Sequence, residues 1–207
     1  MTAAQKKALN DDDEKFLLRC DGARIDFRLA FGNSNPVIAE IGFGMGQATW
    51  QIAADHPSWN FLGIEVHTPG IGKLIIDLKT HGLENVRIIH HDAIEILEKS
   101  IPPESLAGIH LFYPDPWPKK RHHKRRIIRP GLAELMVSRL VRQGYLYFVT
   151  DVGEYADYAL DLLSGIPGLR NRYDGFAERQ QWRPETKFEA RAKNQGRPQR
   201  ELFFERI

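Results

Sequence analysis

The stretch V-I-A-E-I-G-F-G-M-G, Val37 to Gly46, decides how this chain folds. Val37–Ile41 is apolar apart from Glu40, which predicts a short buried strand. Glycines at 42, 44 and 46 follow at once, and a helical pattern then runs from about Gln47 to Asp55. Strand, glycine-rich turn and helix in that order open an α/β sheet. The glycines let the backbone turn tightly and come close to a ligand at the helix N-terminus. Their G-x-G-x-G spacing differs from the G-x-G-x-x-G of nicotinamide dinucleotide sites.

Outward from this unit the alternation continues. Phe61–Val66, Val86–His90, Ile109–Tyr113, Tyr145–Thr150 and Glu201–Ile207 read as strands. Helical spacing covers Ile71–Thr80, Ala93–Lys99, Pro130 to about Val141, and Glu154–Leu163. Short strands alternating with helices predict a mostly parallel sheet covered on both faces. Residues 1–30 have weak periodicity and suggest one short helix or a loose arm. Residues 175–198 are polar and basic. With no repeat or low-complexity linker, the expectation is an N-terminal arm over residues 1–31 and one domain over residues 32–207.

The 207 residues suffice for a sizeable core, and the composition is ordinarily globular, with 42% hydrophobic and 27% charged residues. A net charge of +2 does not by itself call for a nucleic-acid partner. Its distribution is more informative: Lys119–Arg129 holds seven Lys/Arg and two His, whereas residues 11–14 are all acidic. Cys20 is the single cysteine, so no internal disulfide exists. No apolar run reaches the ~18 residues of a membrane span, and the polar N-terminus carries no signal-peptide pattern. A cytoplasmic protein is expected.

Acidic residues fall at four successive strand ends. Glu40 precedes the glycines, Glu65 closes F-L-G-I-E-V-H, Asp92 closes I-I-H-H-D-A, and Asp115 follows the fourth strand. Ligands of open α/β sheets lie beyond the carboxyl ends of the strands, so these acids predict one crevice. A carboxylate at Glu65 suits a ribose diol and one at Asp92 an adenine amino group, although Asp92 also stands where a helix N-cap would. Asp115 lies in F-Y-P-D-P-W-P-K-K-R-H-H-K-R-R, Phe112 to Arg126. Tyr113, Asp115 and Trp117 each precede proline, which predicts an extended, stiff segment. It would hold one carboxylate beside cations able to grip a polyanion, with Lys124, Arg125 and Arg126 as phosphate contacts. Tyr113 or Trp117 could stack on a splayed base or simply fill the core.

The glycine turn, with its acid two residues ahead, resembles motif I of the class I S-adenosylmethionine methyltransferases. P-D-P-W-P-K-K-R-H-H-K-R-R closely resembles the signature of the bacterial tRNA (guanine-N7)-methyltransferases. E-I-G-F-G-M-G, G-I-E-V-H-T-P-G, H-D-A-I-E and E-T-K-F-E (Glu185 to Glu189) are similar to that family's segments, in order from about Gly32 to the C-terminus. The resemblance implies a Rossmann-like α/β fold with a mostly parallel seven-stranded sheet. It implies methyl transfer from S-adenosylmethionine to N7 of guanine 46 in the tRNA variable loop. By motif position Glu40, Gly42, Gly44, Gly46, Glu65, Asp92 and Asp115 would hold the cofactor, with Asp115 also the catalytic residue. Lys119, Asp151, Thr186, Lys187, Phe188 and Glu189 would contact the substrate. Residues before Gly32 are fewer and more acidic than the basic leader of that family.

Two alternatives differ in class. One is a non-catalytic RNA-binding protein on the same fold, against which the intact glycines and acids speak. The other is a methyltransferase of an exocyclic amine, whose Asp-Pro-Pro-Tyr pattern differs from Asp115-Pro116-Trp117-Pro118. His90–His91 and His122–His123 are adjacent pairs whose rings point apart in an extended chain, so no metal is expected. Monomer and dimer are equally compatible with the sequence.

Overall fold

The computed structural model describes residues 1–11 and 13–207, with side chains at all of these except 10, 11, 13, 14, 187 and 188. Among the described residues seven strands form a sheet of order β3-β2-β1-β4-β5-β7-β6. The chain divides into two compact units, residues 1–102 with 182–184, and residues 103–181 with 185–207.

The first unit holds β1 (Val37–Ile41), β2 (Asn60–Glu65) and β3 (Val86–His90), all parallel, with Ala39 opposite Leu62 and Gly63 opposite Ile88. Every residue of β1 and β2 is buried, the pattern of strands covered on both faces. The helices α4 (Gln47–Asp55), α5 (Thr68–Thr80) and α6 (Ala93–Lys99) follow the three strands in turn. Pro69 sits in the first turn of α5, where its missing N–H costs no hydrogen bond, and Asp92 caps α6.

The N-terminal segment, expected from sequence as one short helix or a loose arm, is more helical than either. It forms α1 (Ala3–Asp11), α2 (Asp13–Phe16) and α3 (Phe27–Phe31). Leu17 bridges Ile88 in parallel, and Leu18 N–H donates to the Ile88 carbonyl at 2.9 Å, so the segment covers the outer edge of β3. Gln5 packs so closely on α5 that a Cβ at Gly72 would lie 2.7 Å from its carbonyl oxygen. A weak local pattern was rescued by these tertiary contacts.

The second unit holds β4 (Leu106–Phe112) and β5 (Leu140–Thr150) in parallel, then β7 (Arg200–Arg206) antiparallel to both β5 and β6 (Leu169–Asn171). Its helices are α7 (Leu132–Arg139), α8 (Gly153–Ser164) and α9 (Lys187–Asn194). The helix expected through Val141 stops at Arg139, and β5 begins five residues earlier than its apolar run at Tyr145. Leu140 pairs with Leu106 there, past an irregularity between Leu106 and Gly108. Partner strands, rather than local hydrophobicity, extend this element. Among the described residues no helix is long and apolar enough to cross a membrane.

Candidate functional site

In the first unit the glycine turn is built from both sides. Gly42, Gly44 and Gly46 have φ of 72°, 58° and 74°, left-handed values that side chains disfavour. Phe43, between them, is buried on β2, where a Cβ at Gly63 would meet its ring at 2.8 Å. The first turn of α5 closes in behind: a Cβ at Gly70 would lie 1.8 Å from the Gly44 carbonyl oxygen. Glu65 ties the turn to the end of β2. Its Oε2 accepts from Gly44 N at 2.8 Å, and its Oε1 accepts from Val66 N and His67 N at 2.8 and 2.9 Å. Three charge-assisted bonds fix this carboxylate and leave it acceptor capacity for a hydroxyl.

Glu40 is 3% exposed, and its Oε2 has no hydrogen-bond partner. Burial pushes its carboxyl up to about 7; the nearby Thr49 hydroxyl opposes the rise and the Glu65 charge adds to it. The Thr49 effect falls short of a full hydrogen bond, since Thr49 Oγ1 also has no partner. Asp92 is exposed, and its Oδ1 accepts from Ile94 N at 2.9 Å and Glu95 N at 3.2 Å. The capping function weighed from sequence is therefore real, whatever else Asp92 does. Val66 and Met45, beside Glu65 and within the glycine turn, expose apolar side chains. Only their solvent exposure distinguishes them, which sequence does not report.

These residues fit S-adenosylmethionine. A buried carboxylate without a partner suits a cationic ligand, and the glycine turn at the start of α4 suits a carboxylate. A fixed acid at Glu65 suits a ribose.

The second unit carries the Asp115 segment, which is not extended as expected. Tyr113 and Trp117 have φ of 51° and 43°, left-handed for two aromatic residues that each precede proline. Such residues cost on the order of 1–3 kcal/mol each and persist only where surroundings hold them. Tyr113 N–H donates to the Val149 carbonyl at 2.7 Å, which anchors the kink to β5. Asp115, between the two kinks, is exposed. Trp117 is half-buried, with the Arg125 guanidinium 4.9 Å above its ring and His122 edge-on at 5.9 Å.

The basic run forms a 3₁₀ helix over Lys120–Arg125. Lys119, Lys120, Arg121, Lys124 and Arg125 are exposed, as a phosphate-binding face requires. Arg126 is not part of that face. It is 0% exposed, donates from Nε to the Pro116 carbonyl at 2.9 Å, and grips Glu154 through both terminal nitrogens at 3.2 and 2.5 Å. Its guanidinium also stacks on Tyr155 at 4.6 Å and Tyr158 at 5.1 Å. These Arg126 hydrogen bonds hold the Glu154 carboxyl below its usual range. Burial pushes the Tyr155 phenol up to about 12, while Ile128 N donates to its oxygen at 3.1 Å.

The remaining candidates lie on the α9 side of this unit. Thr186 is the N-cap of α9, its Oγ1 accepting from Glu189 N at 3.2 Å. T-x-x-E is the capping-box pattern in the sequence, of which the Thr186 half is formed here. Glu189 is buried, paired with Arg179 and, at 3.3 Å, with Lys193. Asp151 is nearly buried against Arg197. The side chains of Lys187 and Phe188 lie outside the described residues. No cluster of three or more metal-ligating side chains occurs among the described residues.

Residues 34–202 match the family described as "Putative methyltransferase". The tRNA (guanine-N(7)-)-methyltransferase of Aromatoleum aromaticum is 47% identical over 206 residues, 100% of this chain and 80% of that protein. The enzyme of that name from Bordetella pertussis is 45% identical, over 100% of this chain and 81% of its own. Among solved structures, the 16S rRNA methyltransferase KamB superposes with a TM-score of 0.64 at 14% identity, over 87% of this chain and 92% of its own. That likeness concerns the fold, a class I methyltransferase sheet. The full-length identity goes further: the chain belongs to the tRNA (guanine-N(7)-)-methyltransferase family.

Proposed function

We propose that this protein methylates N7 of a guanine in tRNA, at position 46 of the variable loop, in the cytoplasm, with S-adenosylmethionine as donor. The observation that carries the reading is Asp115, an exposed carboxylate between two kinked aromatics, followed directly by an exposed run of cations. When bound, S-adenosylmethionine supplies an electrophilic methyl group. Glu40, the glycine turn (Gly42, Gly44, Gly46), Glu65 and Asp92 hold it, with Val66 and Met45 offering apolar contact.

Guanine N7 has a lone pair and no proton. As the new N–C bond forms and the S–C bond breaks, positive charge moves onto the purine and no general base is needed. Alignment is the main requirement, worth up to several kcal/mol. Asp115 accepts from the N–H edge of guanine and stabilises the developing cation. Lys119 and its exposed neighbours hold phosphates. Asp151, Thr186 and Glu189 are the further substrate contacts of this reading, as are Lys187 and Phe188, whose side chains lie outside the described residues. Arg179 and Lys193 set the Glu189 carboxylate, and Arg197 sets that of Asp151.

Labelled S-adenosylmethionine and unmodified tRNA, followed by digestion to nucleosides, test this directly. Label should appear in 7-methylguanosine and vanish when guanine 46 is replaced by adenine. Label in another nucleoside, or no transfer, would overturn the reading.

A further inference from the structure

We propose that Arg126 is a positioning residue: clamped by Glu154, it holds the Pro116 carbonyl and so fixes the place of Asp115. The inference rests on the role given to Asp115 above. The backbone on either side of Asp115 is strained, with left-handed φ at Tyr113 and Trp117. A strained loop relaxes unless its surroundings over-determine it. The Tyr113–Val149 hydrogen bond restrains the side before Asp115. On the side after it, Arg126 Nε reaches the carbonyl of the very next residue at 2.9 Å.

Arg126 is itself immobilised. Its guanidinium is planar, and two of its edges serve at once: Nε faces Pro116 while both terminal nitrogens meet the Glu154 carboxylate. Tyr155 and Tyr158 cover it. Glu154 and Tyr155 open α8, so the loop is referenced to a packed helix. A lysine cannot reproduce this fork, because an ammonium is a point donor. The arrangement separates two jobs inside one basic run: the exposed cations bind, and the buried one aims. It also explains a fully buried arginine beside a surface that otherwise displays its charges.

The test compares Arg126→Lys and Glu154→Ala with wild type, using tRNA turnover, cofactor affinity, and fluorine NMR of protein labelled with 5-fluorotryptophan. The four tryptophans give four signals, and Trp117→Phe assigns the one from the loop. Both variants should shift or broaden the Trp117 signal and leave those of Trp50 and Trp59 in place. Turnover should fall at least tenfold in Arg126→Lys and several-fold in Glu154→Ala, with cofactor affinity and KM for tRNA within about twofold. Glu154 is itself 59% exposed, but its loss takes the carboxylate from a buried guanidinium, so thermal melting of both variants checks that each is folded at the assay temperature. An unmoved Trp117 signal in both variants would show that Arg126 does not hold the loop. A moved signal with wild-type turnover would show that holding it does not matter. Were wild type to transfer no methyl group to tRNA, the functional reading would fail, and the NMR comparison would still decide whether Arg126 holds the loop.

Discussion

The Gly44 carbonyl oxygen occupies the space that a side chain at Gly70 would need, 1.8 Å from where its Cβ would stand. The first turn of α5 therefore lies directly against the glycine turn, and Glu65 pins that same turn through the Gly44 N–H. The glycine turn is held from two sides, by the first turn of α5 and by Glu65 at the end of β2.

Gly70→Ala forces α5 and the glycine turn apart. Backbone on both sides leaves no flexible atom to yield, so stability should fall by about 1–3 kcal/mol. Affinity for S-adenosylmethionine should fall at least tenfold while tRNA affinity stays near wild type. Calorimetric titration with each ligand checks this, and an unchanged cofactor affinity would show that the turn tolerates the displacement.

Glu40 makes stability depend on pH. Its carboxyl is raised from 4.5 to about 7, so the folded protein keeps a proton that the unfolded chain releases. Stability should fall as pH rises from about 4.5 to about 7, by roughly 3 kcal/mol, and be flat in this respect on either side. Glu40→Gln should flatten the melting-temperature profile across that window and be more stable than wild type at pH 8. Since a cationic ligand favours the carboxylate, S-adenosylmethionine binding near pH 7 should also release protons. Calorimetry in buffers of different ionisation enthalpy measures that release, which the Gln variant should lack.

The exposed cations Lys120, Arg121 and Lys124 should act through phosphates. Their joint replacement by Ala should weaken binding to any tRNA and reduce the salt slope by about 0.7–0.9 per lost contact. The melting temperature should hardly move, because these side chains are exposed. Arg126 belongs outside this set, and including it would mix a binding defect with a packing defect. Filter binding across a salt series reads the slope; an unaltered slope would mean these cations only face solvent.

Thr186 and Glu189 carry structural work that any functional test must separate. Removing the Thr186 cap should cost about 1 kcal/mol, and Glu189→Ala breaks an ion pair with Arg179 of which only the Glu189 end is buried. Thr186→Ser keeps the cap and should retain both stability and methylation. Glu189→Gln should lose turnover more than tenfold at a temperature where circular dichroism shows the helix content of wild type. Normal methylation by Glu189→Gln would remove that carboxylate from the substrate contacts.

Val37–Ile41, Gln47–Asp55, Val86–His90 and Ala93–Lys99 were legible to the residue, because apolar period, glycine punctuation and caps are local signals. The acids at the strand ends were legible for the same reason. The three N-terminal helices, β6 and the early start of β5 were not, since contacts with distant elements stabilise them. The backbone kinks at Tyr113 and Trp117 ran against the local preference of residues before proline.

Sequence by itself determined the alternating α/β order, the glycine turn, the acids and the basic run, all set by near neighbours along the chain. Tertiary structure alone decided what each charge does. Lys124 and Arg126 are two residues apart in one cationic run, yet one is exposed and the other fully buried. The difference lies 28 residues downstream, where α8 brings Glu154 to pair with the guanidinium and tyrosines to cover it. A guanidinium leaves water only where partners replace its hydration, and only the folded chain assembles those partners.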